Sequence, residues 1–511
     1  MRFNYACGLN RIATCGRWVA LGCLLTLAGC AAAPTEHSPP ESMAQRQTCG
    51  PFMQRLDALV DQQGVRDGGA ARLAGFAHAR VDRLLASFAL EAQRSDERWL
   101  AWASAAAALD REARTWELMN LTEAVLPDLK EGDRPAIARR ADNCSEQAWT
   151  TLGQDPSRRR MLLEQARVPD DYAMWKRALG LYPLTRWPFY AGVERWQAGW
   201  ARELRQGQTQ AAGGEGGQRW SAASAAMAPA GVSALMEAVS ADALGIPRPT
   251  EAQSLSLLQA YAPEIEVAQR GPFDLLGRLH WGDAVAPQVD AAHPTVYARV
   301  AHTRYGQTTL LQLVYSAWFS ERPAEGPFDL LSGAVDGVVM RLTLAPDGRP
   351  LLADSIHACG CYHLFVPAQA LVPRPAPGLG EEWAFAPIRL PALAPGERLL
   401  WRLASGSHMV ESVTAAPQGI EVSAGGYQLV EEDQLRSLSV PEGGRRSAFA
   451  PDGIMPGTQR GERVFFWPMG IASPGAMRQW GRQPTAFVGR RHFDEPRLIE
   501  ERFEIEAGVL P

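Results

Sequence analysis

The period of the hydrophobic pattern changes near the middle of this 511-residue chain, and that change constrains the fold more than any other feature. Over residues 81–88, apolar side chains fall at the i, i+3, i+4 and i+7 positions that form one face of a helix. Over residues 338–344, every even-numbered residue is apolar, which is the alternation of a strand. Because the helical patterns come first, the sequence predicts an α+β fold, with an N-terminal helical domain followed by a β-rich domain with peripheral helices.

The first 30 residues have the three parts of a secretory signal. Arg2, Arg11 and Arg17 make a positive start, and small residues precede Cys30. The apolar core between them, residues 18–27, is too short to span a bilayer, which needs roughly 20 apolar residues. We therefore expect a cleaved signal rather than a membrane-spanning helix.

Residues 27–30, Leu-Ala-Gly-Cys, resemble the lipobox of bacterial lipoproteins. The resemblance implies that cleavage falls before Cys30 and that this cysteine carries acyl chains such as palmitate, which anchor the chain to a membrane. Ala31 follows, where an aspartate would often direct retention in the inner membrane. The implied location is therefore the outer membrane, with the protein facing the periplasm. The rest of the chain resembles a Gram-negative envelope protein, which implies no activity.

Composition predicts five segments. The signal peptide is 1–29, and a Pro- and Ala-rich flexible tether is 30–50. A helical domain at 51–205 is followed by a Gly- and Ala-rich linker at 206–230 and by a β-rich domain at 231–511. An apolar groove between the two domains would favour ligand binding, and its absence would favour a role in protein contacts.

Tryptophans repeat at helical spacing through the first domain, at positions that include Trp99, Trp102, Trp175, Trp196 and Trp200. Such a series predicts the core of a helical bundle, and an aromatic ligand groove is the alternative. In the second domain, turn residues 345–348 separate the alternating strand 338–344 from a return strand at 351–365. Further strands are predicted at 308–319, 398–403, 412–414, 420–422 and 463–467.

The return strand contains the one concentration of histidine and cysteine in the chain. His357, Cys359, Cys361 and His363 occupy alternate positions. Alternate side chains of a strand share a face, so all four are expected on one side of the sheet. Imidazole and thiolate are ligands of transition metals such as zinc, and the pattern therefore predicts a metal site.

The dimensions of a strand limit this metal site. Same-face neighbours lie about 6.6 Å apart and metal–ligand bonds are about 2.0–2.3 Å long, so a straight strand lends two ligands to one ion. A kink at Gly360 would add a third ligand, and His302 is the nearest candidate to complete the set.

The oxidising periplasm leaves two further interpretations of this cluster open. Cys359 and Cys361 could form a disulfide, strained on an extended strand, that would suit thiol–disulfide exchange. The same residues could instead be a structural disulfide or ordinary packed core. Cys49 and Cys144 are the remaining pair of the mature chain, and a structural disulfide is predicted between them.

Charge and motifs narrow the function without defining it. The formal net charge is −5, and removing the three arginines of the signal gives −5 − 3 = −8. This excess of acid argues against nucleic acid as a partner. The sequence predicts a binding or envelope-assembly role, with the membrane and other envelope proteins as partners and a bound metal as an option. A metal-dependent hydrolase or a thiol–disulfide exchange enzyme using the His/Cys cluster is the alternative.

Overall fold

The computed structural model describes residues 43–209, 217–223, 227–282, 286–378, 380–417 and 426–510. Helices dominate its first part and strands its second, which confirms the α+β class. Cys30 and the predicted signal peptide lie outside the described residues. The first helix begins at Met43, so the last part of the predicted tether 30–50 is helical.

The N-terminal part consists of helices with one short β-hairpin. Its elements are α1 (Met43–Gln62), β1 (Ala71–Leu73), β2 (Phe76–Val81), α2 (Arg83–Ala86), α3 (Asp96–Asn120), α4 (Arg134–Gly153), α5 (Pro156–Glu164), α6 (Met174–Leu179) and α7 (Tyr182–Thr209). The prediction of a helix over 81–88 is wrong at its start, because Val81 is the last residue of β2. The helix α2 begins after Asp82, whose carboxylate accepts a hydrogen bond from the backbone N–H of Leu85 at 2.7 Å.

Helix α3 shows how the sequence builds this part. The Ser95 hydroxyl accepts the backbone N–H of Arg98 at 3.2 Å, and Asp96 places a negative charge in the first turn. Trp99 and Trp102 are buried against β2 and α2, as the prediction of a bundle core expects. The periodic aromatic pattern is therefore a core pattern in this helix.

A disulfide between Cys49 and Cys144 joins α1 to α4, with the two Cα atoms 5.3 Å apart. It is the pair expected from the sequence. Buried apolar side chains from both helices, among them Phe52, Leu56 and Ile137, surround it. The bridge and this small core together hold the N-terminal helix in place.

The second part consists of two main sheets and short peripheral elements. Its elements are β3 (Gly217–Trp220), α8 (Pro229–Glu237), α9 (Glu251–Ala260), β4 (Glu264–Ala268), β5 (Arg278–Trp281), β6 (Pro287–Asp290), β7 (Thr295–Tyr305), β8 (Thr308–Arg322), β9 (Gly333–Leu344), β10 (Pro350–His357), β11 (Leu364–Pro367), β12 (Leu371–Pro373), β13 (Glu397–Leu403), β14 (Val410–Pro417), β15 (Gln428–Glu431), β16 (Leu438–Ser439), β17 (Arg445–Arg446), α10 (Arg463–Phe466), α11 (Leu498–Arg502) and β18 (Phe503–Ile505).

The larger sheet has six strands in the order β11-β10-β9-β8-β7-β15, antiparallel except for the parallel pair β7 and β15. The smaller sheet has the order β14-β13-β4-β3. One hydrophobic cluster contains Met340 of the larger sheet, Trp401 of the smaller sheet and Trp200 of α7. The two sheets and α7 therefore share a core.

The predicted hairpin is present as β9 and β10, with Leu342 opposite Ala353 and the turn at residues 345–349. The even-numbered residues of 338–344 enter the shared core, as the alternation predicts. Arg341 lies on the opposite face, but that face is also buried, because the C-terminal segment covers it and places the ring of Phe493 3.7 Å from the Arg341 guanidinium. Alternation therefore identifies the face of each residue and does not reveal that both faces are covered.

Three predicted boundaries need correction. Helix α7 packs on β14 and belongs to the core of the second part rather than to the helical domain alone. Strand β3 lies within the predicted linker 206–230. Residues 463–467, predicted as a strand, are α10 followed by the first residue of a 3₁₀ turn at Trp467–Met469, whereas the strand predicted at 420–422 lies outside the described residues.

No helix among the residues described here is long and apolar enough to cross a bilayer.

Candidate functional site

The strand predicted over 351–365 ends early. β10 stops at His357 and β11 begins at Leu364, so the two cysteines lie in the connection between them, which we call the Cys-Gly-Cys turn (residues 358–363). Gly360 has a φ of +98°, and a Cβ atom there would lie 2.2 Å from the carbonyl oxygen of Pro484. Only glycine fits this position without strain. The turn therefore places the cysteines at the end of the sheet.

The two histidines of the cluster lie on opposite faces of the sheet. His357 shares the face of Ala353 and lies 3.7 Å from a carboxylate oxygen of Asp336. His363 lies on the other face, where its Nε2 donates to Asp354 at 2.9 Å. The strand geometry from which a shared metal site was predicted is therefore wrong, because a reversal of the chain separates these two side chains.

The imidazoles are held neutral by their surroundings. Burial lowers the pKa of His363 to about 3 and also lowers the pKa of His357. His302 lies in β7, where its Nε2 bonds to the carbonyl of Pro247 at 2.9 Å, and burial lowers its pKa to about 4. It lines a separate small pocket and is not brought to the cysteines.

Among the described residues, no group of three or more His, Cys, Asp or Glu side chains is placed to hold a metal ion. The histidines and cysteines of the sequence pattern therefore do not fit a zinc site in this arrangement. The metal site stays a prediction of the sequence, and the geometry offers no ligand set for it.

The two cysteines are free thiols in close contact. The backbone N–H of Cys361 points at the sulfur of Cys359, 3.4 Å away. A hydrogen bond to Cys359 and burial together raise the pKa of the Cys361 thiol well above its usual range. Arg478 is buried beside them, and its Nε has no hydrogen-bond partner in the described structure. The two thiols therefore form a compact pair, and the Cys361 thiol is held in its protonated form.

This pair forms part of the wall of a pocket of about 460 Å³. Helix α7, α10 and residues 471–487 supply most of the remaining lining. Most of the lining is aliphatic or aromatic, and it includes Phe189, Val193, Trp196, Phe466, Ile471, Pro474, Pro484 and Phe487. A concave site of this size and composition is typical of small-molecule binding.

Aromatic rings form a continuous series along one side of the pocket. The ring of Trp196 lies 5.0 Å from the rings of both Tyr362 and Trp200, and Trp200 stacks on Phe385 at 5.1 Å. The Trp200 indole N–H donates to the carbonyl of Val410 at 2.8 Å, which fixes α7 on the smaller sheet. The bundle-core prediction is therefore wrong for Trp196, and the alternative of an aromatic groove describes it.

The pocket lining includes an acidic group. Glu462 is 6% exposed, and burial raises the pKa of its carboxyl to about 7 although Arg322 and Arg460 oppose the rise. The carboxyl therefore changes charge near neutral pH. Sequence reasoning missed Glu462 because an acid before an apolar run is normally exposed, and its burial depends on distant segments that include Leu330 and Gly475.

A second polar group lines another part of the pocket. Glu382 accepts backbone N–H groups of Phe487 and Val488 at 2.7 and 2.9 Å, and burial raises its pKa. The buried Arg491 lies close enough to counter this rise. The backbone N–H groups of Phe487 and Val488 therefore hold the Glu382 carboxyl in place.

The chain has no serine–histidine pair of the hydrolase type at residues 405–408. The Ser405 hydroxyl donates to Asp274 at 2.7 Å, while His408 contacts Asp336 at 2.7 Å and stacks on Phe319. All of these groups are buried. The network holds loops together within the core and leaves the hydroxyl bonded to a carboxylate rather than to an imidazole.

No protein-family model matches this chain, no curated protein is similar to it, and no solved structure matches its fold.

Proposed function

We propose that the protein is a lipid-anchored envelope protein of the outer membrane, facing the periplasm, that binds a small apolar ligand between α7 and the Cys-Gly-Cys turn. The observation that carries the binding role is the pocket of about 460 Å³ with its mainly apolar lining. The pocket lies between α7, which the sequence assigns to the end of the helical domain, and connecting segments of the second part. This is the arrangement that favours ligand binding over a pure contact role.

The polar groups suggest the ligand's chemistry. Glu462 is partly ionised near neutral pH, so a ligand carboxylate beside it would be repelled. A hydroxyl or carbonyl could exchange a hydrogen bond with the carboxyl in either of its forms. The pocket therefore suits an apolar molecule that carries a small uncharged polar group.

Calorimetric titration with straight-chain alcohols of increasing length tests this binding role. Each methylene that enters the pocket should strengthen binding by ~0.8 kcal/mol, or about fourfold in Kd, until the pocket is full. The titration uses residues 31–511, which retain every described element. Affinity without a dependence on chain length would contradict the proposal.

Two glycines of α7 offer a matched pair of variants. Gly192 lines the pocket, and no atom lies within 4 Å of a Cβ built on it, so Gly192→Phe should occupy the pocket without a clash. Gly199 is equally unobstructed but does not line the pocket. Binding should be lost in Gly192→Phe and kept in Gly199→Phe. Equal binding by both variants would place the ligand elsewhere.

The anchoring part of the proposal rests on the lipobox-like residues 27–30. Incorporation of labelled palmitate into the full chain, followed by separation of inner and outer membranes, tests it. Cys30→Ser should abolish labelling. Labelling that persists in this variant would show that another residue carries the lipid.

A thiol–disulfide exchange role is a second candidate, because two free cysteines touch each other at the pocket wall. The pair would give two electrons and two protons to a substrate disulfide, forming a Cys359–Cys361 bond and two substrate thiols. The raised pKa of the Cys361 thiol makes its thiolate scarce at neutral pH, which disfavours rapid attack. Reduction of one equivalent of glutathione disulfide per protein that is lost in Cys361→Ser would support this role, and reduction unaffected by this substitution would exclude the pair.

A further inference from the structure

Exposed apolar side chains are concentrated in and beside three helices, of which α7 and α10 also line the pocket. Among the described residues, seventeen large hydrophobic side chains are exposed, and ten of them lie in α6, α7, α10 and the residues that adjoin these helices. We call these ten residues the apolar rim: Met174, Trp175, Leu179, Leu181, Leu184, Trp187, Trp196, Val464, Phe465 and Trp467. Scattered single exposures are normal in soluble proteins, whereas a concentration of this kind marks an interaction surface.

The helices that carry the apolar rim are joined to one another. The Arg177 guanidinium of α6 donates to the carbonyl of Met469 at 2.8 Å, just after α10. At the junction of α6 and α7, a Cβ on Gly180 would lie 2.5 Å from the Cβ of Pro468. Phe189 of α7 lies 5.3 Å from Phe466 of α10, ring to ring. The rim is therefore one surface.

This surface continues into the pocket. Both Phe189 and Phe466, which join α7 to α10, line the pocket, and so does Trp196 of the rim itself. A body that covers the rim would therefore also cover the pocket mouth.

Basic side chains accompany the aromatic rings of the rim. Lys176 lies 5.7 Å from the ring of Trp175, and the guanidinium of Arg186 lies 4.7 Å from the ring of Trp187. Arg463 is exposed at the start of α10. This positive fringe contrasts with the net charge of −5 of the whole chain. Tryptophan, leucine and phenylalanine beside lysine and arginine are the composition of helices that lie in a membrane interface.

We propose that the apolar rim docks on the surface of a phospholipid bilayer. Its Trp, Leu and Phe side chains enter the boundary between headgroups and acyl chains, while Lys176, Arg186 and Arg463 contact lipid phosphates. The pocket mouth then faces the bilayer, and an apolar ligand reaches the pocket without crossing water.

The charge of the fringe favours a bilayer over a second copy of the chain. A self-complementary contact presents the same patch from both partners, so in a dimer the basic fringes would come close together and repel each other. Lipid phosphates neutralise them instead. No helix among the described residues could span a bilayer, so the contact proposed here is with the membrane surface.

Vesicle flotation tests the docking with residues 31–511, which lack the Cys30 lipid and keep every described element. The protein should float with phosphatidylcholine vesicles and bind severalfold more strongly when phosphatidylglycerol is included, with the gain lost at high salt. Brominated acyl chains should quench its tryptophan fluorescence. Failure to float with either vesicle would overturn the proposal.

Two pairs of Leu→Gln variants separate a loss of rim contacts from a general increase in surface polarity. Leu179→Gln with Leu184→Gln changes two rim residues that are 70% and 68% exposed, and should lower vesicle partitioning at least tenfold. Leu90→Gln with Leu100→Gln changes residues that are 74% and 63% exposed elsewhere, and should leave partitioning unchanged. All four side chains are solvent-exposed, so neither pair should affect folding.

The outcomes separate membrane docking from other uses of the rim. An equal loss of vesicle partitioning in both pairs of leucine variants would refute docking through the rim. A concentration-dependent dimer in light scattering that the rim pair alone abolishes, without vesicle binding, would identify the rim as a contact between copies and overturn the proposal. The Leu179→Gln and Leu184→Gln pair should still bind the straight-chain alcohols, because neither leucine lines the pocket. A failure of docking therefore remains distinguishable from a failure of the pocket proposal.

Discussion

Glu462→Gln should stabilise the protein above neutral pH. The pKa of Glu462 lies near 7, about 2.5 above its ordinary value of 4.5, because burial penalises the ionised carboxylate. Each unit of pKa difference between the folded and unfolded chain corresponds to ~1.4 kcal/mol. The ionised carboxylate therefore costs the folded state about 3 kcal/mol at pH 8. Glutamine keeps the shape of the side chain and cannot ionise, so it removes this cost.

The direction of the pH dependence of stability follows from which state, folded or unfolded, binds the proton more tightly. Between pH 4.5 and about 7 the unfolded chain releases the proton while the folded chain keeps it, so the free energy of unfolding falls as pH rises. The variant should therefore gain up to about 3 kcal/mol over the unmodified chain at pH 8 and gain nothing from this source below pH 4.5.

Denaturant unfolding at pH 8 and at pH 4.5, followed by tryptophan fluorescence, measures the difference in free energy of unfolding between the variant and the unmodified chain. The dependence of this free energy on denaturant concentration is compared between the two proteins. Glu194→Gln is the matched control, because it removes the same charge from an exposed position of α7 and should change stability by less than ~0.5 kcal/mol. If Glu462→Gln gives the same change at pH 8 as at pH 4.5, the carboxyl is not held in a desolvated site and the polar group of the pocket has been misassigned.

Three further predictions concern the frame of the site. Cys49→Ser should lower the free energy of unfolding by ~4–5 kcal/mol, because the bond to Cys144 closes a loop with a sequence separation of 95; a reducing agent should then have no additional effect. Arg341→Met leaves the buried Asp354 carboxylate without its bidentate partner and should cost ~3–5 kcal/mol, and a loss below ~1 kcal/mol would contradict this. Gly360→Ala should destabilise the Cys-Gly-Cys turn, seen as increased thiol labelling under native conditions, and unchanged labelling would show that the turn tolerates a side chain.

The His/Cys cluster shows where local pattern stops being informative. Alternation is a property of extended backbone, and the chain leaves that conformation at Gly360 and again at Tyr362, whose φ is +61°. Glycine permits such a reversal, but it equally permits a kinked or straight strand. The reversed chain packs against Pro484, which leaves no room for a side chain at Gly360 and is more than a hundred residues away in the sequence. The predicted single face could not have been corrected from the residues of the cluster.

The tryptophans illustrate the same limit. Helical spacing correctly indicates a core pattern at Trp99 and Trp102, yet Trp175 is 63% exposed and Trp196 lines the pocket. Spacing describes which residues share a face, but it does not say what covers that face. Net charge has a similar weakness, because an excess of acid over the whole chain conceals the basic fringe beside Trp187.

The sequence by itself determines the α+β order, the β9–β10 hairpin and the Cys49–Cys144 pairing, because these depend on periodicity, on turn residues and on the count of cysteines. It also carries the lipobox resemblance, which lies in four consecutive residues. Only the tertiary structure decides the pocket and the apolar rim. The pocket walls come from segments around residues 190, 360 and 465, and the burial of Glu462 depends on these and other distant segments. Such long-range contacts decide which groups are desolvated and which helix face stays exposed, and no window of sequence contains them.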